Sequence, residues 1–81
     1  MKDAKKRNAI KVIRSFGKLK PGWNAGSGEP VSRRSIRMAI RLLRVLPVLP
    51  EIFPTGRGTV QFEFGVDSGD DCYELEIGEQ S

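Results

Sequence analysis

The chain has no histidine and a single cysteine among its 81 residues. Without histidine it lacks the commonest general base and the commonest transition-metal ligand. One cysteine, Cys72, cannot close an internal disulfide, and without histidine it forms neither a zinc site nor an activated thiol nucleophile. Such usage fits a reducing cytosol and excludes the disulfide-rich secreted class. No apolar run approaches the ~20 residues of a membrane-spanning helix. The basic start has no hydrophobic core, so no export signal is expected. A soluble, cytoplasmic protein is the expectation. Length narrows it further: a single domain of this size buries only about two-thirds of its unfolded surface, which leaves a small core and little room for a deep pocket.

Acidic residues are scarce in one half and basic residues in the other. Residues 1–44 hold thirteen Lys/Arg against two Asp/Glu, whereas residues 45–81 hold one, Arg57, against eight. The formal total of +4 therefore conceals balances of +11 and −7. Asymmetry of this kind bears on partners and association rates rather than on fold.

Residues 3–17 read as an amphipathic helix, with Ala9, Ile10, Val12, Ile13 and Phe16 in one arc and Arg7, Lys11 and Arg14 opposite. Asp3 suits the positive end of its dipole and Gly17 its terminus. Residues 18–31 form a loop punctuated by Pro21-Gly22, Gly26, Gly28 and Pro30. A second helix is expected over 32–46, with Ser32 as N-cap. Arg33, Arg37, Arg41 and Arg44 stack along it in one stripe, and apolar residues take most of the remaining circumference. So broad an apolar face exceeds what one sheet covers, so the first helix or a partner must share it.

Pro47, Pro50 and Pro54 then forbid further helix. Strands are expected at about 51–54, 59–64 and 72–77. In the second, Val60, Phe62 and Phe64 point to one face and Thr59, Gln61 and Glu63 to the other. In the third, Tyr73, Leu75 and Ile77 point inward and Cys72, Glu74 and Glu76 outward. The order of elements predicts one α+β domain over 1–81, two helices packed on a three-stranded antiparallel β-meander. Residues 78–81 are expected to fray.

Few residues are arranged for chemistry, and no catalytic, cofactor-binding or metal-binding residues are assigned. Asp67, Asp70 and Asp71 share a turn with Ser68 and Gly69, but their spacing fails the helix–loop–helix calcium pattern, which leaves a solvated turn. Gly26-Ser27-Gly28 follows no strand and lacks the Lys-Ser/Thr of a phosphate loop, which leaves a plain turn. Cys72 reads as a small strand residue.

The charged and aromatic surface is more specific. Arg33, Arg34, Arg37, Arg41 and Arg44 could simply solvate a helix and cover apolar surface with their methylenes. Yet Arg33 and Arg34 occupy a first turn where the dipole disfavours cations, and arginine without lysine suits bidentate pairing with carboxylate or phosphate. A partner-facing stripe is the sharper reading. Lys2, Lys5, Lys6 and Arg7 read as a solvated helix start or a phosphate clamp. Trp23, the only tryptophan, either folds back to cap the core or stands out as a binding hot spot. Glu63, Glu74 and Glu76 meet on an open sheet face, as a solvated or a partner-facing acidic patch.

Gly22-Trp23-Asn24, followed by Pro30-Val31-Ser32 and a Leu-rich helix, resembles a family of small bacterial and phage proteins without an assigned activity. Ile52-Phe53-Pro54-Thr55, Gly58, Val60-Gln61-Phe62-Glu63-Phe64 and Leu75-Glu76-Ile77 continue the resemblance, which spans residues 22–77. Where an aromatic often follows the Trp-Asn pair in that pattern, this chain has Ala25 and Gly26. The resemblance implies a compact α+β unit of the kind found on mobile elements or beside defence and toxin genes. It brings no catalytic residues with it.

These features lead to a non-enzymatic protein-binding module that acts by surface occlusion, without a cofactor. Its type is an inhibitor or neutraliser: a phage anti-defence protein such as an anti-CRISPR, or an antitoxin. Its partner is expected to be a larger protein or a nucleoprotein complex. The alternative is a small basic nucleic-acid binder using the Lys/Arg of both helices, although both helices facing one duplex looks geometrically doubtful. A third reading is a minor structural subunit that self-associates through its opposed charges.

Overall fold

The structure is a computed structural model that describes residues 2–65 and 73–78, with side chains from residue 4 onward. Helix α1 spans Lys2–Ser15 and tightens into a 3-10 turn at Phe16–Lys18. It buries Ala9, Ile13 and Phe16, a spacing of four and three that keeps them on one face. Gly17 was expected to end this helix but lies inside the 3-10 turn. Its role is close approach: a Cβ there would come within 3.0 Å of Ile36 Cδ1 on the second helix.

Helix α2 spans Arg33–Val45. Ser32 caps it as expected, its Oγ accepting from Ser35 N–H at 3.1 Å, and its hydroxyl also donates to Ser35 Oγ at 2.9 Å. The two helices run antiparallel. Lys6, near the start of α1, donates from Nζ to the carbonyls of Arg44 and Leu46 at the end of α2, at 3.1 and 2.8 Å. A cation at carbonyls left without helical partners is favourable on both hydrogen-bonding and dipole grounds.

Strands β1 (Glu51–Pro54), β2 (Val60–Phe64) and β3 (Tyr73–Ile77) form one antiparallel sheet in that order. This is the expected α+β arrangement of two helices and a three-stranded meander. Pro54 sits in an edge strand, where its missing N–H costs no ladder bond. β2 begins at Val60 rather than at residue 59, because Thr59 belongs to the turn and its carbonyl accepts from Thr55 N–H at 2.9 Å. Cys72, where β3 was expected to begin, the expected turn with Asp67, Asp70 and Asp71, the Asp3 side chain and residues 79–81 lie outside the described residues.

Both helices lie on the same side of the sheet, α1 over β1 and α2 over β2 and β3. Ala39, Ile40 and Leu43 of α2 meet Val60 and Phe62, and Phe62 is fully buried. Gly78 fixes how closely β3 approaches: any Cβ there would collide with Ser35 Oγ and lie 2.8 Å from Thr59 Cγ2. The loop between the helices is stitched to the β1–β2 connection by Glu29 N–H to Gly56 O (3.0 Å) and Ser32 N–H to Gly58 O (3.1 Å).

Leu75 and Tyr73 were expected to be buried. Pairing places Leu75 beside Phe62 and Tyr73 beside Phe64, on the helix-side face. Even so, they remain 43% and 65% exposed. α2 covers only the Ile77 end of β3, so alternation chose the face correctly while the helix stops short of the strand's other end. Phe62→Ala should therefore cost about 3–5 kcal/mol, a large share of what a small domain has. Leu75→Ala should cost less than about 2 kcal/mol, because much of its surface is already wet. Urea denaturation of the two variants checks this; equal losses would refute the unequal coverage.

Candidate functional site

The positive charge lies on the outer side of the helix layer. Arg33, Arg34, Arg37, Arg41 and Arg44 are all exposed on α2, since the arc they leave is buried against α1 and the sheet. On α1, Arg7, Lys11 and Arg14 are exposed at a four-then-three spacing, which makes a second stripe. The stripes converge at one end of the pair, where Lys6, Arg7 and Ile10 of α1 and Arg44 of α2 line one shallow depression. Thus the basic residues of both helices do share a surface.

The strand carboxylates among the described residues lie on the opposite side. Register places Glu51, Glu63 and Glu74 in one row across all three strands. Phe53, Gln61 and Glu76 form the next row of the same face. Glu51 and Glu74 are exposed and Glu63 is half-buried, and Phe53 keeps 42% of its surface in solvent. Like charges opposite one another destabilise a sheet, and here Gln61 Nε2 donates to Glu63 Oε2 at 2.8 Å and relieves part of that cost.

Glu76 belongs to a different arrangement from Glu63 and Glu74. Arg57 holds it in a two-pronged ion pair, Nη2 to Oε1 at 2.7 Å and Nε to Oε2 at 3.0 Å. Thr59 donates its hydroxyl to Glu76 Oε2 at 2.6 Å, and Thr55 Oγ1 lies 2.6 Å from Thr59 Oγ1. Thr55 Oγ1 also accepts from the backbone N–H of Arg57 and of Thr59. The carboxylate of Glu76 thereby ties the end of β3 to the β1–β2 turn. Hydrogen bonding from Arg57, then from Thr59, holds its pKa below the ordinary carboxylate value.

Trp23 neither caps the core nor stands free. Its indole N–H donates to the Glu29 carbonyl at 2.6 Å, and its ring lies against Gly28, where a Cβ would be 3.1 Å from Cε2 and Nε1. It is half-buried over its own loop and makes no part of the core cluster. That loop is a miniature hairpin: Asn24 and Ser27 exchange backbone hydrogen bonds at 2.7 and 3.0 Å around Ala25 and Gly26, whose φ values are 52° and 95°. Positive φ at both central positions is the type I′ geometry, so Gly26-Ser27-Gly28 serves a turn. The indole is spent on closing it.

Sequence reasoning missed Glu51, Phe53 and the Arg57 pair. The first two followed from strand alternation once β1 was placed beside β2. The clue to the pair was the isolation of Arg57, the only Lys/Arg after residue 44, among carboxylates. Among the described residues no cluster of three or more Cys, Asp or Glu is disposed to hold a metal ion. None of the described helices is long and apolar enough to cross a membrane.

Fold and surface define a small two-layer α+β unit with a basic helical face and an acidic sheet face. No protein-family model, curated protein or solved structure matches the chain.

The Arg57–Glu76 pair makes a pH-dependent contribution to stability. A carboxylate whose folded pKa lies below its unfolded one stabilises the fold above the unfolded value, and the gain disappears as pH falls through the folded value. Stability should accordingly drop from about pH 5 downward in the wild type, and less steeply in Glu76→Gln, which is less stable at neutral pH. Thermal melts between about pH 3 and 7 measure this; acid limbs of equal slope would count against it.

Proposed function

We propose that the protein is a non-enzymatic binding module that works in the cytoplasm by occluding a surface of a larger protein or nucleoprotein complex. In this reading it is an inhibitor or neutraliser, of phage anti-defence type such as an anti-CRISPR, or an antitoxin. The observation that carries the proposal is the segregation of charge onto opposite faces of a two-layer slab. A slab of this kind presents a continuous surface to a partner. Its resemblance to small bacterial and phage proteins is in keeping with such a role.

The sheet face is the docking face in this reading. The row Glu51–Glu63–Glu74 lies on one β-sheet, so its carboxylates are held by backbone pairing rather than by flexible loops. Phe53 supplies an apolar anchor beside them. A partner suited to that face is a basic groove of the kind that nucleases use to hold nucleic acid, where acidic residues compete with the natural polyanion. Glu76 contributes little to docking because Arg57 already neutralises it, and Trp23 holds its loop in shape.

The experiment is capture from nuclease-treated host lysate on immobilised wild type and on Glu63→Lys/Glu74→Lys. Wild type should retain one protein in near-equal amount, and the double variant should lose it by at least about tenfold while melting normally. Equal retention by both, or recovery of nucleic acid alone from untreated lysate, would refute the reading.

A further inference from the structure

The face opposite the proposed docking surface is not accounted for by occlusion. We infer that the outer side of the helix layer is a binding surface for the phosphodiester backbone of duplex DNA, contacted without regard to sequence. This goes beyond the protein-binding reading and does not depend on it.

Three observations carry the inference. First, the cations there are uncommitted: Arg7, Lys11 and Arg14 of α1 and Arg33, Arg37, Arg41 and Arg44 of α2 are exposed, and among the described residues none of their side chains forms an ion pair. Between residues 4 and 45 the only carboxylate is Glu29, in the loop. Among the described side chains of the two helices there is thus no carboxylate, although Asp3 opens α1. Second, the stripes are ordered. A step of four residues advances a helix by about 6 Å, so Arg33, Arg37 and Arg41 follow one another along one side of α2. The antiparallel row on α1 meets it at Arg7 and Arg44. Third, the composition selects the group bound. Guanidinium pairs in a bidentate manner with phosphate oxygens and is weakly hydrated.

The same surface discriminates among nucleic acids. Its only helical aromatic, Phe16, is buried, so it offers no platform on which unpaired bases could stack. Packed helices lie about 8–10 Å apart, so side chains of two adjacent basic rows can reach phosphates on both sides of the ~12 Å major groove of B-form DNA. The narrow major groove of A-form RNA does not match it, and cationic donors do not read the 2′-hydroxyl. Regularly spaced arginines of this kind fix position on the backbone but carry no base information. The row Glu51–Glu63–Glu74 lies across both layers from this face. With a screening length of about 8 Å at physiological ionic strength, it orients the approaching molecule more than it repels the duplex.

Fluorescence anisotropy with labelled duplexes of about 20 base pairs tests the inference. Two unrelated DNA sequences should bind within about twofold of each other, and single-stranded DNA and an RNA duplex at least about fivefold more weakly. Some five phosphate contacts give a log–log salt slope near −4.5, so affinity should fall by about five hundredfold between ~50 and ~200 mM salt. Arg37→Glu/Arg41→Glu should lose at least about tenfold with an unchanged melting temperature. Arg41→Glu alone should lose at least about fivefold, whereas Lys20→Glu, which makes the same change in net charge in the loop between the helices, should stay within about twofold of wild type. Absence of binding at low salt, equal loss in these two single variants, or tighter binding of RNA or single strands would overturn the inference. Protein capture through Glu63 and Glu74 is read in the absence of nucleic acid, so either result stands without the other.

Discussion

Two-sided burial of α2 is the constraint on which the rest of the structure depends. Ile36 reaches Gly17 at the end of α1 while Ala39, Ile40 and Leu43 enter the core shared with the sheet, and Ser35 sits at zero exposure where β3 ends. Only one side of the helix is left for solvent, and it carries the arginines. Covering α2 from two directions requires α1 to lie beside it on the same layer. Gly17 permits the contact at one end and Lys6 ties it at the other. Arg7, Lys11 and Arg14 of α1 then lie on the same outward surface.

Placing both helices on one side leaves the sheet's other face uncovered. A strand has a period of two, so each apolar residue aimed at the helices aims its neighbours outward. In β2 those neighbours are Gln61 and Glu63, and in β3 they are Glu74 and Glu76. Electrical polarity of the molecule is thus a consequence of layering: helical stripes and strand alternation send opposite charges to opposite sides. The sheet accepts some repulsion between Glu51, Glu63 and Glu74. Within the same sheet, the Arg57–Glu76 pair shows how a carboxylate is placed when it serves the fold, with two guanidinium contacts and a threonine hydroxyl.

Local chemistry was legible wherever one element decided the outcome. The N-cap at Ser32, the end of helix before Pro47, the edge position of Pro54 and the inward face of Val60 and Phe62 each follow from one residue's stereochemistry or from period-two alternation. What was not legible involved residues distant in the chain. Leu75 and Tyr73 have the right alternation, but their burial depends on how far α2 reaches. Trp23 has the composition of a core cap, yet its indole closes a type I′ turn onto Gly28. Glu76 looks like Glu63 and Glu74 in sequence, and only the approach of Arg57 across nineteen residues separates its role from theirs.

The sequence by itself determined the α+β class, the order of elements and the existence of two opposed sets of charge. Those properties come from periodicity, capping and composition, all of which act over a few residues. Tertiary structure decided that the helix arginines and the strand glutamates of the described residues would occupy different faces, that Arg7 would meet Arg44, and that Glu51 would join Glu63 and Glu74. Each of these rests on a contact between elements, helix against helix or strand beside strand. Contacts of that range are set by which apolar surfaces must be hidden together, and the charges follow where burial puts them.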